Sequence, residues 1–423
     1  MFLFIGGVIV LATMYCLVRK YEPRMVLFVS GLTMAIISGD PLATFQSFSN
    51  SMHEYKLFEP IVAVMGFTVV MRVTECDQHL IHLLVNGLKR VGPALIPGAT
   101  IVTFFINVSL TSAAGASAAA GSILIPLLMA AGVHPAMAAA AVFSGTFGSL
   151  LNPGFVHNVF VAEMAKTTPL NVIANDMVAI FVALGIIILN LVIVAYIRKE
   201  NRGYEPPDSM AVTQGAEFKV SALKASIPVI PISILILGGT GVVPLFKPLS
   251  ISHTMIIGTI IAFLVVRKSP GDVSSAFFKG MGDAFGNIFG IIICATIFVS
   301  GMNSLGMVKA LTDAMISNPG FAKISSVFGP FIMAVMAGTG EAATLAFNKA
   351  VSVEAAKFGL QITDMGSAAT IGGALGRTVS PITPGIIICS RFAGGVSPFE
   401  IIKRNGLGVL LAAIASLFLM LYK

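Results

Sequence analysis

Apolar residues run along this chain in blocks near the length of a membrane span, separated by short polar segments rich in Lys, Arg, Gly and Pro. The blocks fall at residues 2–18, 24–39, 57–73, 93–131, 135–165, 173–197, 223–246, 252–267, 284–304, 320–358, 365–395 and 405–422. A transmembrane helix needs about 20 mostly apolar residues. Eight blocks therefore predict simple spans, with 24–39 and 252–267 short for the purpose. The other four do not fit a single crossing. Blocks 93–131 and 320–358 are too long and carry small polar residues at their centres, which predicts helical hairpins that enter and return on one side. Blocks 135–165 and 365–395 are interrupted by Asn152-Pro153-Gly154 and by Ser380-Pro381 with Thr383-Pro384-Gly385. Proline removes a backbone donor and clashes with the preceding turn, so these predict helices broken at membrane depth.

Composition sharpens this picture. Of 423 residues, 56% are hydrophobic and only 11% charged, against roughly 25% charged in a soluble domain. Lipid must therefore be the solvent for much of the chain. The net charge of +7 does not signal nucleic acid, because there is no run of five like charges and the basic residues sit in short loops. With the N-terminus outside, 17 of the 26 Lys and Arg fall on the inner side, including Arg19, Lys20, Arg24, Arg72, Lys89, Arg90, Arg267, Lys268, Lys403 and Arg404. Positively charged loops face the cytoplasm, and the split holds only if both long blocks return to the side they entered. The stretch at 2–18 has no basic leader or small-residue cleavage site and predicts a first span. Cys16, Cys76, Cys294 and Cys389 are scattered without metal-ligand spacing. No nucleotide loop, HExxH or GxSxG occurs, which argues against an enzyme or a nucleotide-driven pump.

One self-alignment matters. Residues 137–153 lie over 365–381 without gaps, a shift of 228, with Met137/Met365, Ala140/Ala368, Ala141/Ala369, Gly145/Gly373, Gly148/Gly376 and Pro153/Pro381 identical. The same shift superposes Thr111 on Thr339 at the two hairpin centres and pairs the spans 57–73 and 284–304. The span count sends those two in opposite directions, so the halves predict inverted repeats, the architecture of secondary transporters with substrate near the midplane. The expected organisation is N-terminal scaffold helices at 1–56, repeat 1 at 57–198, a cytoplasmic linker at 199–222, scaffold helices at 223–283, and repeat 2 with the last helix at 284–423. The expected fold class is thus an all-α integral membrane protein of two inverted repeats, each holding a re-entrant hairpin and a broken helix.

Candidate chemistry concentrates at the breaks. The tip Ser109-Leu-Thr-Ser-Ala-Ala-Gly-Ala-Ser117 and the tip Gly338-Thr-Gly-Glu-Ala-Ala-Thr344 have small side chains that let backbone approach a ligand. Each precedes a half-helix whose N-terminus favours an anion; close helix packing through small residues is the alternative. Ser109, Thr111, Ser112, Asn152, Thr339, Gly340, Ser380 and Thr383 are the candidate substrate ligands. Arg377 sits beside the second break, in a block otherwise empty of charge until Arg391. A guanidinium there either grips a carboxylate or pairs with Glu341 at the facing tip. Glu341 could carry a coupling proton, help hold Na⁺, or neutralise Arg377. His157 and Asn158 follow the first break as coupling-ion candidates or structural groups. Asp283 and Asn287 fall where a span is expected to start, as a helix cap or an inner gate.

At Gly280-Met-Gly-Asp-Ala-Phe-Gly-Asn287, Leu375-Gly-Arg-Thr-Val-Ser-Pro381, Ser397-Pro-Phe-Glu400 and Lys403-Arg404 the sequence resembles the anaerobic C4-dicarboxylate carrier family, type Dcu C, of the ion-transporter superfamily. The likeness runs over most of the chain. Residues Ser109–Met164 also resemble the large membrane subunit of TRAP transporters and sodium-dependent dicarboxylate carriers. The resemblance implies a homodimeric elevator in a bacterial inner membrane, moving succinate, fumarate or malate by exchange or with Na⁺ or H⁺ as coupling ion and no cofactor. Glu341 departs from the uncharged polar residue expected at the second tip. A membrane subunit of a binding-protein-dependent complex and a cation/proton exchanger are the competing expectations.

Overall fold

The computed structural model describes residues 2–19, 21–53, 55–88, 94–205 and 218–422. Lys20, Lys89, Arg90 and Lys423, the first residue of the 93–131 block, and 206–217 of the expected linker lie outside the described residues. Among the described residues every regular element is a helix. By length and composition six helices can cross a membrane, or seven if the bent pair Tyr55–Val73 and Cys76–Gly87 is one span. Pro23–Ser38 and Ile251–Val266 are apolar but short, as their blocks predicted.

The two long blocks each fold as two packed helices. Leu95–Ser109 and Ala113–Ala130 meet at residues 110–112. Pro319–Ala337 and Glu341–Ala350 meet at 338–340, and a 3₁₀ turn Ser352–Phe358 follows. The interrupted blocks form Pro135–Ser144, a 3₁₀ turn Gly148–Leu151 and Val156–Met164, then Ile362–Arg377 and Pro384–Phe392. Element boundaries recur at the spacing seen in the sequence. The helices of the hairpins end at 109 and 337 and restart at 113 and 341, while Val156–Met164 and Pro384–Phe392 lie 228 residues apart. Contacts swap between halves in the same register. Pro23–Ser38 packs on Gly290–Ser304, and its counterpart Ile251–Val266 packs on Tyr55–Val73.

One sequence expectation is corrected. Asp283 and Asn287 do not begin a span. Pro270–Ser304 is a continuous apolar helix, and the segment Phe285–Phe289 within it is π-helical. The extra residue per turn swings Asn287 out of the regular helical register, the kind of bulge frequently found at functional sites. Arg24 Nη1 donates to the Gly286 carbonyl at 2.6 Å and caps this irregular turn from outside.

Six packed apolar clusters result among the described residues. A large core joins the first hairpin, both broken helices and the helices Pro169–Ile197 and Pro398–Leu421. A second core, with Val64, Phe67, Met71, Met255 and Val273, joins Tyr55–Val73 to the helices of the second half. Between them lies an apolar seam where Leu57, Ile61, Phe289 and Ile292 meet Val156, Phe160 and Leu345.

Candidate functional site

Backbone broken at membrane depth needs substitute hydrogen-bond partners, and carboxamide side chains supply them at the first break. Asn107 donates to Leu110 O at 2.7 Å and accepts from Ser149 N–H at 2.9 Å. Asn152 donates to Val108 O at 2.7 Å and accepts from Gly154 N–H at 2.7 Å. Asn158 donates to Leu150 O at 2.8 Å and Asn152 O at 2.9 Å. The second break is held by Thr383 Oγ1, which donates to Arg377 O at 3.0 Å, and by Ser380 Oγ, which accepts from Ile382 N–H at 3.4 Å. Asn405 on the last helix is fully buried. Its amide donates to Ser144 Oγ at 3.2 Å and Thr378 O at 3.1 Å, tying the two breaks together.

The breaks and tips enclose a cavity of about 340 Å³. Thr111 and Ser112 from the first tip face Thr339, Gly340 and Glu341 from the second, and Arg377, Thr383 and His157 come from the broken helices. Ile61 and Met65 on Tyr55–Val73, with Asn287 and Ile288 on the π-helical turn, form the opposite wall. The cavity therefore lies where the hairpin-bearing body meets the helices of the other core.

Local geometry places each group. Ser112 caps the helix Ala113–Ala130 by accepting from Gly115 N–H at 3.2 Å, so that helix N-terminus opens at the cavity. Gly338 turns the second tip with φ of 74°, a conformation open to glycine at little cost. Glu341 begins the next helix and is exposed to the cavity. Arg377 ends Ile362–Arg377, and its Nη2 donates to the Thr146 carbonyl at 2.8 Å. Its Nη1 is buried without a partner among the described residues, as is His157 Nδ1. No ion pair joins Arg377 to Glu341 among the described residues.

Of the residues expected from sequence to contact substrate or coupling ion, Thr111, Ser112, Thr339, Gly340, Glu341, Arg377, Thr383 and His157 line this cavity. Ser109, Asn152, Asn158 and Ser380 lie outside its lining; the two asparagines and Ser380 brace the backbone. Sequence reasoning missed Ser149, Thr370 and Met65, which also line it, and named Thr344 only as the end of the second tip. Thr370 is an uncharged group within a helix and carries no local signal. Among the described residues no three His, Cys, Asp or Glu side chains are grouped to hold a metal ion.

Comparison with known proteins matches residues 4–423 to the family model "C4-dicarboxylate anaerobic carrier". An uncharacterized transporter of Haemophilus influenzae is 35% identical over 63% of this chain and 98% of its own length. The anaerobic C4-dicarboxylate transporter DcuC of Escherichia coli K12 is 24% identical over 97% of this chain and 94% of its own. In three dimensions the chain is similar to MtrF of Neisseria gonorrhoeae, with a TM-score of 0.65, 14% identity and coverage of 90% and 82%. At that identity the likeness carries the fold alone.

Proposed function

The chain belongs to the C4-dicarboxylate anaerobic carrier family and is a membrane transporter, not an enzyme, and on that premise we propose that it moves C4-dicarboxylates such as succinate, fumarate and malate through the cavity around Arg377. The observation that carries this reading is Arg377 in the lining of a cavity walled by two hairpin tips, with its Nη1 buried and without a partner among the described residues. A guanidinium with one edge committed to Thr146 O and a free nitrogen suits a carboxylate. A buried polar nitrogen without a partner costs about 1–3 kcal/mol, more for a charged group, so a carboxylate that bonds this guanidinium is stabilised by at least that order.

The substrate ligands are Thr111, Ser112, Thr339, Gly340, Glu341, Arg377 and Thr383, with His157 as carrier of the coupling ion, Na⁺ or H⁺. Asn152, Asn158 and Ser380 act by shaping the breaks. The halves are inverted repeats, as the recurring boundaries and the swapped contacts support. Transport is by an elevator: the hairpin-bearing body slides along the apolar seam against the Tyr55–Val73 wall. An apolar seam has few directional bonds to break, which keeps such a slide inexpensive. The working unit is a homodimer in a bacterial inner membrane; its N-terminus lies outside, an orientation the loop charges support.

Purified protein in liposomes, assayed for radiolabelled succinate flux across Na⁺ and pH gradients and with internal dicarboxylate, tests this. Saturable flux is expected. Dependence on internal dicarboxylate identifies an exchanger, and dependence on one gradient names the coupling ion. Absence of flux and of binding for every C4-dicarboxylate, in folded protein, overturns the reading.

A further inference from the structure

An acid, Glu341, faces the cavity in which the dianion of the proposed function would sit. Among the described residues lining the cavity, the ionisable ones are Glu341, Arg377 and His157. With His157 neutral the formal charges of Glu341 and Arg377 cancel. A plain dicarboxylate would then bring two negative charges into a cavity whose lining offers one cation and one anion, the guanidinium of Arg72 standing behind that lining beside Gly115. Like charge at close quarters in a low-dielectric site is strongly repulsive.

Glu341 has no direct partner that could remove this conflict. No hydrogen bond or ion pair joins its carboxylate to a described residue, and it faces the cavity. An acid in the first turn of a helix is commonplace, because the helix dipole favours it. That accounts for its tolerance there and not for its exposure into the same cavity as an unsatisfied Arg377 Nη1. The donor set is polarised across the cavity. One side offers the guanidinium of Arg377 and the capped helix N-terminus at Ser112, and the other offers a carboxylate.

Resting on the dicarboxylate reading above, we propose that this cavity takes a dicarboxylate that carries an ammonium, a 2-amino diacid, in preference to the unsubstituted one. One carboxylate lies on Arg377, the ammonium lies on Glu341, and the second carboxylate faces the N-terminus of Ala113–Ala130. Every charge of such a ligand then meets an opposite charge or a helix N-terminus, and the net charge crossing with the site is one negative instead of two.

Competition against radiolabelled succinate uptake in proteoliposomes tests this, with unlabelled aspartate, malate and succinate as competitors. Malate matches aspartate in size but replaces the ammonium by a hydroxyl. Aspartate is expected to inhibit at concentrations at least tenfold below malate and succinate. Glu341→Gln is expected to reverse that order, and Glu341→Asp to retain it. If succinate flux is saturable while aspartate competes no better than malate, the proposal falls and the dicarboxylate reading stands. If Glu341→Gln keeps the preference order but makes flux independent of the Na⁺ and pH gradients, Glu341 carries the coupling ion and the proposal is likewise overturned. Should Glu341→Gln fail to fold, thermal stabilisation of the wild-type protein decides: aspartate must raise the melting temperature at concentrations where malate does not. If no C4 diacid, amino-bearing or plain, moves or binds, both readings fall together.

Discussion

Arg377 Nη2 donates to the backbone carbonyl of Thr146 at 2.8 Å, so the end of one broken helix is bonded to the gap in the other. This single bond fixes the direction of the guanidinium and leaves Nη1 for a ligand. A lysine at this position keeps the charge but cannot hold the carbonyl and a carboxylate in the same plane. Arg377→Lys is expected to raise the half-saturating succinate concentration by about tenfold or more, on the scale of 1.4 kcal/mol per factor of ten. Arg377→Ala should lose measurable uptake. Unchanged affinity in Arg377→Lys, measured in liposomes, would remove Arg377 as the carboxylate anchor.

Asn405 gives a separate test of what holds the breaks in register. Its amide is fully buried and serves Ser144 Oγ and Thr378 O at once. Asn405→Leu is close in size but strands a buried carbonyl. The expected loss is roughly 1–3 kcal/mol, read as a lower melting temperature in detergent. Asn405→Ser, which leaves one donor, should lose less. Equal melting temperatures for wild type and Asn405→Leu would show that the two breaks are positioned by packing alone.

The breaks were legible in the sequence because their signal is local: proline and small polar residues interrupt apolar runs at Asn152-Pro153 and Ser380-Pro381. The hairpin tips were legible for the same reason, and the repeat spacing placed Thr111 and Thr339 at corresponding turns. The partner of Arg377 was not legible. Sequence weighed an ion pair with Glu341, whereas the guanidinium bonds a main-chain carbonyl 231 residues away, and backbone acceptors leave no residue-type signature. The π-helical turn at Phe285–Phe289 was hidden for a related reason. Its cause is a main-chain register shift, and Asp283 and Asn287 looked like the polar start of a span. The pairing of Glu200 with Arg404 joins the end of one half to the end of the other, and only folding brings them together.

That pairing is itself predictive. The Arg404 side chain is 4% exposed and that of Glu200 11%. Arg404 Nε donates to Glu200 Oε2 at 2.7 Å, Nη2 donates to Oε1, and Nη1 reaches Glu400 Oε2 at 3.0 Å. Glu200→Leu takes two hydrogen bonds from a buried guanidinium and leaves only the more exposed Glu400 to compensate it, toward the lower end of the roughly 3–5 kcal/mol for breaking a buried pair. Glu200→Leu should therefore lower the melting temperature sharply. Glu200→Leu combined with Arg404→Met should lose less than Glu200→Leu alone, because the stranded charge is gone. A double variant less stable than either single one would mean that the two side chains contribute independently, Arg404 through its bonds to Glu400.

Arg24 links the surface to the cavity wall. It bonds Glu22 and the Gly286 carbonyl next to Asn287. Partial burial raises the Glu22 carboxyl, but hydrogen bonds from Met25 N–H and Arg24 outweigh it and hold the group below its ordinary 4.5. A carboxyl depressed in the folded state contributes stability above its unfolded value and loses it as pH falls through the folded value. Melting temperature should therefore decline more steeply below about pH 4.5 in wild type than in Glu22→Gln. Arg24→Ala frees Gly286 O, and a fall of roughly 1–2 kcal/mol with weakened succinate affinity is expected. Wild-type affinity in Arg24→Ala would show that the π-helical turn holds Asn287 without outside support.

The second hairpin tip lies on the second broken helix so closely that a methyl group cannot enter. A Cβ built on Gly340 would stand 2.6 Å from the Gly373 carbonyl oxygen, and both groups are backbone. Neither can rotate away, so Gly340→Ala must lift the tip bodily, carrying Thr339 and Glu341 out of line with Arg377. Overpacking of this kind costs about 1–3 kcal/mol, and succinate uptake should fall at least tenfold while the protein still folds. Gly282→Ala is the matched control, since nothing lies within 4 Å of its Cβ. That helical position should gain up to about 1 kcal/mol from propensity alone and transport normally. If Gly340→Ala transports as well as Gly282→Ala, the tip leaves Gly373 freely during the cycle, and the close seating is not what aligns the cavity for its substrate.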